Sequence, residues 1–185
     1  MSNGKSRLTF GELVGFTNDR LESLMKQGGT PALADVAGYE FRGFNLQPLT
    51  KLIGSRKFKK GFYGSPEEGH LWGYNIRVVQ NKLDEPWMAL PSDANPKRIL
   101  FFKVFPAAQA GRDADYAHSL VVDYSQWQGY FVLNPGRYIL DYLVFPDSEN
   151  RDLLLGKSYF AVGGSRAFAG YFILERHNKS DFTGA

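Results

Sequence analysis

Three charged residues alternate with large apolar side chains in predicted strands: Lys103, Asp141 and Lys157. Side chains at positions i and i+2 of a strand point to one face, so these charges share faces with apolar neighbours. A buried charge is costly unless it is paired, and Asp141 and Lys157 on neighbouring strands are therefore predicted to form an ion pair. Such a pair would hold the polar end of a ligand or transfer a proton, which makes Asp141 and Lys157 the candidate catalytic residues. The alternative is that the lysine ammonium groups reach solvent and a helix covers these faces from outside.

A second set of polar and aromatic side chains is predicted to contact a ligand. Glu40 and Arg42 share one face of a predicted strand. Arg42 would offer a forked donor to a ligand carboxylate and Glu40 would hold it, or the two would form a structural ion pair. Aromatic rings would form pocket walls, although such rings more often belong to a core. The predicted ligand-binding residues are Arg42, Glu40, Trp72, Tyr74, Lys103, Tyr142 and Tyr159.

One segment gathers positive charge without any acidic residue. It contains Lys51, Arg56, Lys57, Lys59 and Lys60. This cluster is predicted either to contact phosphates or anionic headgroups, or to be the solvated rim of a short helix. The net charge of the whole chain is only +3, so nucleic acid is not predicted as a partner.

Several common chemistries lack the residues they need. With no cysteine and three histidines, the chain has no thiolate metal ligand or cysteine nucleophile, and no metal or cofactor is predicted. Gly156-Lys157-Ser158 matches only the end of a phosphate-binding loop, because Arg151 stands where that loop requires glycine. The nucleophile elbow and the dinucleotide fingerprint are missing as well. The common hydrolase and nucleotide-dependent reactions therefore lose their main support.

An amphipathic helix is predicted near the start of the chain, over Phe10–Met25, where apolar residues recur every three or four positions. Thr9 and Glu12 have the spacing of a capping box at its start, and glycine follows its end. A second, short helix is predicted from about Pro48 to Lys57.

The rest of the chain has the pattern of an antiparallel sandwich or barrel, and about eight strands with tight links favour a closed barrel, which the resemblance described next implies is of the lipocalin or calycin type. Short β-rich runs are separated by turn residues, and aromatic residues make up 15% of the chain, which favours sheets and apolar pockets. The predicted organisation is a helix over residues 1–30, a barrel over 31–177 and a free tail over 178–185. The predicted strands are Gly38–Phe44, Leu71–Gln80, Pro86–Ala89, Arg98–Phe105, His118–Tyr124, Arg137–Phe145, Leu154–Val162 and Gly170–Arg176.

Three of these runs, Tyr138–Phe145, Leu153–Tyr159 and Gly170–Arg176, resemble the closing strands of lipocalin-like bacterial proteins of unassigned function, the GXWXG type. The opening strand of that type would begin at Ala37, with aromatic residues in place of the first motif glycine and the tryptophan. The resemblance covers about a third of the chain. It implies a calycin-like barrel and carries no catalytic residues over.

Three functions are consistent with these patterns. The first is a barrel that binds a small, mostly apolar or amphipathic ligand, with polar groups orienting it. The second is an enzyme on the same barrel that performs cofactor-free acid–base chemistry, such as decarboxylation, isomerisation or cyclisation. The third is an interaction module that uses the basic segment. Without a signal sequence or an apolar stretch long enough to span a bilayer, the protein is expected to be cytoplasmic and not integral to a membrane.

Overall fold

The computed structural model describes residues 7–47, 55–111, 116–127 and 135–184. Within these residues, eight antiparallel strands pair in sequence order, and β1 also pairs with β8, so the sheet closes into a barrel. The predicted all-β barrel is thereby confirmed. Its strands are β1 Tyr39–Asn45, β2 Lys57–Tyr63, β3 Leu71–Arg77, β4 Arg98–Pro106, β5 Leu120–Asp123, β6 Ile139–Val144, β7 Leu153–Val162 and β8 Ser165–Lys179.

One strand of the barrel differs from the prediction. Pro86–Ala89 is not a strand, and Ala89 makes only an isolated bridge to Val78. The strand that completes the eight is instead β2, whose lysines suggested a solvated helix. Those lysines are buried and each has a hydrogen-bonding or charged partner, which allows a strand with three lysines to lie between β1 and β3.

Helices precede the barrel as two short segments where one was predicted. They are α1 Phe10–Val14 and α2 Asn18–Gln27. The predicted capping box between Thr9 and Glu12 is present at the start of α1, and Thr17 caps α2 by accepting from the Arg20 backbone N–H. Two further short helices are α3 Leu33–Val36 and α4 Ala107–Ala110. Of the helix predicted at Pro48–Lys57, residues 48–54 lie outside the described residues and Lys57 opens β2.

The apolar residues form layers on both sides of the barrel wall. The interior contains phenylalanine rings such as Phe41, Phe62 and Phe102, and α3 closes the end at which β1 begins. Outside, Leu13, Leu21 and Met25 of the first two helices pack against the outer faces of β5 to β8. The C-terminal residues cover another part of the outer wall. This burial on both faces explains why many strands are apolar almost throughout.

The C-terminal residues differ from the predicted free tail. Strand β8 continues to Lys179 and pairs there with Tyr39 of β1. Beyond the strand, the Phe182 ring lies with its centroid 5.0 Å from those of both Tyr63 and Tyr74. The segment is therefore part of the packing on the outer face of β2 and β3.

Two inward-facing glycines position aromatic rings inside the barrel. A Cβ atom at Gly73 would lie 2.1 Å from the Phe102 ring, and one at Gly156 would lie 2.1 Å from the Phe172 ring. Only glycine leaves room for these rings against the neighbouring strand. The two rings lie beside Lys60, and this places them at the base of the cavity described next.

Candidate functional site

The barrel interior contains a cavity of about 290 Å³ at the end where β1, β3 and β5 finish. Apolar and polar side chains both line it, and the polar groups at its base, Lys60, Asn75, Tyr124 and Asp141, are buried. An eight-stranded barrel is just wide enough to hold one small ligand, and this cavity is of that size. The apolar lining residues include Phe58, Ile99, Leu100, Ile139 and Phe172, and the polar ones include Lys60, Asn75, Tyr124, Asp141 and Ser158.

A buried ion pair lies at the base of this cavity. The Lys60 Nζ atom is 3.1 Å from Asp141 Oδ2, and the two side chains are only 1% and 3% exposed. Removing both charges from water is expensive, and close pairing with further hydrogen bonds is needed to offset that cost. The pair therefore occupies a part of the interior that a purely structural core would fill with apolar side chains.

Neighbouring polar groups complete a hydrogen-bond network around the pair. Tyr124 accepts hydrogen bonds from Lys60 Nζ at 2.6 Å and from Asn75 Nδ2 at 3.1 Å, and its hydroxyl is 3.4 Å from Asp141 Oδ2. The other oxygen of Asp141 accepts from Ser158 Oγ at 2.6 Å. Both carboxylate oxygens are thus held in place, which fixes the direction in which the group can exchange a proton.

The backbone beside the network is strained at one position. Leu100 has φ of 49°, a left-handed conformation that a branched side chain rarely adopts. It lies where the pairing of β3 with β4 shifts register, and its carbonyl accepts a hydrogen bond from Asn75 Nδ2 at 3.1 Å. Strained residues and bulges are concentrated at binding sites, where they direct polar groups. Here the bulge fixes the Asn75 amide that holds Tyr124.

The surroundings of Lys60 shift the protonation equilibrium of its amine towards the neutral form, compared with a lysine in water. Burial lowers the pKa of the Lys60 ammonium, and attraction to Asp141 offsets only part of that effect. The faces of Phe102, Tyr124 and Phe172 lie 4.6, 5.1 and 5.2 Å from Nζ, measured to the ring centroids. The site therefore offers an amine, a carboxylate and a phenol within hydrogen-bonding distance of one another at the base of the cavity.

Of the two candidate catalytic residues, only Asp141 faces this cavity. The predicted pair of Asp141 with Lys157 is wrong, because Asp141 lies opposite Ser158 in the β6–β7 register and Lys157 lies opposite Tyr142. A shift of one residue along a strand places a side chain on the other face of the sheet. The Lys157 ammonium consequently lies outside the barrel wall, 2.6 Å from Glu22 Oε2 of α2.

A second polar cluster forms around Glu22 beneath the helices. Lys157 and Tyr171 donate to Glu22 Oε2 at 2.6 Å each, and Tyr116 donates to the other carboxylate oxygen. Burial raises the pKa of Glu22, but the hydrogen bonds from Lys157, Tyr116 and Tyr171 outweigh it and lower the pKa to about 2. The same negative partner, against the effect of burial, raises the pKa of Lys157. This cluster joins α2 to the outer wall of the barrel.

The predicted ligand-binding residues of β6 and β7 belong to this outer side. Tyr142 is fully buried, with its ring centroid 5.4 Å from that of Tyr116, and Arg166 donates to its hydroxyl at 2.8 Å. The Tyr159 ring meets that of Tyr142 edge to face at 5.9 Å. Both rings therefore pack beneath the helices instead of lining the cavity.

The residues predicted on β1 and β3 also face outward. Glu40 accepts a hydrogen bond from the Tyr74 hydroxyl at 2.9 Å. Arg42 does not pair with Glu40, because its Nε donates to Glu175 Oε2 at 2.6 Å. The Arg42 guanidinium carbon lies 5.0 Å from the centroid of the Trp87 ring. These contacts are structural pairs on the outer wall of the barrel, away from the interior cavity.

Trp72 and Lys103 form a separate outer contact. They face each other in the β3–β4 register, and Lys103 Nζ lies 5.8 Å from the centroid of the Trp72 ring. Neither residue lines the interior cavity. Of all the residues predicted to act on a ligand, Asp141 is thus the one that the fold places in that cavity.

The basic segment does not form the predicted anionic contact surface. Lys57 donates to the carbonyls of Lys82 and Glu85 at 2.8 and 2.9 Å, and Lys59 pairs with Asp93 at 3.0 Å. Lys60 lies in the interior. A strand turns successive side chains to opposite faces, so these charges are distributed over both sides of the wall. Of the remaining two residues, Arg56 lies over the Phe44 ring and Lys51 is outside the described residues.

The sequence reasoning missed four residues of the site: Lys60, Asn75, Tyr124 and Ser158. The sequence does contain a signal for Lys60: it alternates with Phe58 and Phe62, just as Asp141 alternates with apolar neighbours. The other three are ordinary polar residues of strands and turns. Only the closure of the barrel brings them together.

Comparison of the chain with protein-family models, with curated proteins and with solved structures finds no match in any of the three. In the described part of the chain, no helix is long and apolar enough to cross a bilayer. Over residues 7–47, 55–111, 116–127 and 135–184, no three His, Asp or Glu side chains are grouped so that they could hold a metal ion. What the protein binds must therefore be inferred from the cavity itself.

Proposed function

We propose that the protein binds a small amphipathic molecule in the interior cavity of the barrel. The observation that carries the proposal is an interior cavity, lined by both apolar and polar side chains, whose base holds the buried pair Lys60 and Asp141. Burying such a pair is costly, and ionisable groups that a cleft removes from water are concentrated at functional sites.

The orientation of the ligand follows from the distribution of the lining residues. Its apolar part would contact Phe58, Ile139 and Phe172, and its polar end would reach Lys60 and Tyr124. A few fixed polar groups in an apolar cavity set orientation, while the apolar contacts provide most of the affinity. A volume of about 290 Å³ limits the ligand to a small molecule.

Native mass spectrometry of freshly purified protein, beside a denatured extract, would reveal a ligand that copurifies. Binding of the fluorescent lipophile N-phenylnaphthylamine then tests the position of the site. We expect Ile139→Trp, which fills the cavity, to weaken binding at least about tenfold, equal to about 1.4 kcal/mol. Val162→Trp is the matched control, because Val162 is 57% exposed and outside the cavity. Equal affinity of both variants and the wild-type protein would contradict the proposal.

An acid–base enzyme on the same barrel is the second candidate. The position of Asp141, between Ser158 and Lys60 at the base of the cavity, favours it, since a fixed carboxylate beside an amine can move a proton to or from a bound molecule. The distinguishing experiment incubates the protein with any copurified molecule and analyses the products. An enzyme converts that molecule and loses the activity in Asp141→Asn, whereas a binding protein returns it unchanged.

A further inference from the structure

The amine of Lys60 lies at the base of a ligand-sized cavity. It neither anchors a loop nor links a helix to the barrel. Its Nζ donates to Tyr124 and Asp141, and three aromatic rings surround it. A primary amine in an apolar pocket is the arrangement that forms imines with carbonyl compounds.

We propose that the ligand of the cavity carries an aldehyde or a ketone and that Lys60 binds it covalently as a protonated imine. This inference rests on the proposed function, since it names the chemical class of the molecule bound there. The walls formed by Phe58, Leu100 and Ile139 would contact the apolar part of the carbonyl compound. Its reactive carbon would lie at the base, beside Nζ.

The neighbouring groups supply every proton that the reaction needs. Asp141 takes one proton from the Lys60 ammonium, and the neutral amine adds to the carbonyl carbon to give a carbinolamine. The C–O bond then breaks, and the oxygen leaves as water with two protons, one from nitrogen and one returned by Asp141. The products are the protonated imine, the Asp141 carboxylate and one water molecule, so charge and atoms balance. The carboxylate 3.1 Å from Nζ remains as the counterion of the imine.

Two further features of the site favour this chemistry. Burial lowers the pKa of Lys60, so the amine is easier to deprotonate than an exposed lysine. The surrounding rings of Phe102 and Phe172 limit the water that could hydrolyse the product. Tyr124, whose hydroxyl is 2.6 Å from Nζ, is placed to hydrogen-bond the carbonyl oxygen as it leaves.

The ammonium groups of the other buried lysines are held by other partners, including that of Lys57, which also lines the cavity. Lys59, the neighbour on the same strand, faces the outer wall and pairs with Asp93 at 3.0 Å. Lys157 is bound by Glu22 beneath α2. Lys57 donates to loop carbonyls. The reactivity is therefore assigned to Lys60 alone among these four.

Cinnamaldehyde and cinnamyl alcohol are suitable probes, because they differ only in the carbonyl group and the chain has no cysteine to react with the aldehyde. The protein is incubated with each probe and with cyanoborohydride, which reduces an imine to a stable amine. Intact mass and peptide mapping then report the number and position of the adducts. We expect one adduct per chain, on Lys60, with the aldehyde and none with the alcohol. Labelling confined to exposed lysines such as Lys26, with Lys60 unmodified, would overturn the inference.

Matched variants test the assignment. We expect Lys60→Met to lose the adduct and Lys59→Met to keep it at the wild-type level. Since Lys60→Met leaves the Asp141 carboxylate buried without its cation, the double variant Lys60→Met with Asp141→Leu is made as well, and circular dichroism checks that each variant folds. An adduct that persists at the same stoichiometry in folded protein lacking Lys60 would refute the role of this residue.

The experiment also separates this inference from the proposed function. If both probes displace N-phenylnaphthylamine but no adduct forms, the cavity binds small molecules and the imine proposal alone is wrong. If neither probe nor lipophile binds, the proposed function is wrong too. Labelling of Lys60 that the alcohol suppresses by competition supports both.

Discussion

The ammonium of Lys60 and the carboxylate of Asp141 meet across the barrel interior, although β2 and β6 are not adjacent strands and the two residues are 81 positions apart. No local pairing brings them together. Their contact depends on the closure of the whole sheet, because each strand must be in register for both side chains to point inward. The pair is thus a sensitive reporter of the correctly formed barrel.

The first prediction concerns the energetics of this pair. Asp141→Leu leaves the Lys60 ammonium buried without its counterion and should lower the free energy of unfolding by about 3–5 kcal/mol. The double variant Lys60→Met with Asp141→Leu removes both charges and should recover most of that loss, since apolar pairs replace buried ion pairs at little cost. Urea unfolding of the two proteins measures the difference. A double variant as unstable as the single one would show that the network around the pair, and not its charge balance, sets stability.

The second prediction concerns the inward-facing glycine Gly156. Gly156→Ala introduces a Cβ atom 2.1 Å from the Phe172 ring, so the ring must move into the cavity or the strands must separate. We expect a loss of about 1–3 kcal/mol in unfolding free energy and weaker lipophile binding. Gly11→Ala is the control, because a Cβ there meets no atom within 4 Å and lies in α1, where alanine is favoured. Equal stability of the two variants would mean that the Phe172 ring moves freely.

The fold was predictable because alternation and turn residues recur along most of the chain. The strands from Arg98 onward were found where apolar alternation is bounded by glycine, proline and aspartate. The β2 strand was missed, since its lysines match a charged surface and only its tertiary partners, such as Asp93 for Lys59, show why they can be buried. Charge composition within a short segment does not determine which face is solvated.

The site was less predictable, because the closed barrel as a whole decides which side chains point into the interior. Asp141 and Lys157 both satisfied the same test, a charge between apolar neighbours, yet one points into the cavity and the other points under α2. Both faces of these strands are covered, so apolar alternation carries no information about which face is interior. Register and the position of the helices supply that information.

The third prediction concerns the acid sensitivity caused by Glu22. Its carboxyl has a pKa of about 2 in the folded protein against 4.5 for an unperturbed glutamate, because the hydrogen bonds from Lys157, Tyr116 and Tyr171 outweigh the effect of burial. A depressed folded pKa contributes stability that is complete above about pH 4.5 and is lost as the pH falls toward 2. Glu22→Gln should therefore flatten the decline of unfolding free energy across that range. Its control is Glu149→Gln, a change at an exposed position. Parallel pH profiles for Glu22→Gln and the wild-type protein would contradict this assignment.

The fourth prediction tests whether the C-terminal segment contributes to the packing of the barrel. Phe182 lies 5.0 Å from Tyr63 and Tyr74, measured between ring centroids, and the Arg98 guanidinium carbon lies 4.3 Å from the centre of its ring. Loss of these aromatic and cation–π contacts in Phe182→Ala should cost about 1–3 kcal/mol in thermal or urea unfolding. Phe160→Ala removes the same ring at a position that is 49% exposed and should change stability by less than about 0.5 kcal/mol. If the two variants were equally stable, the segment would act as the free tail that its composition suggests.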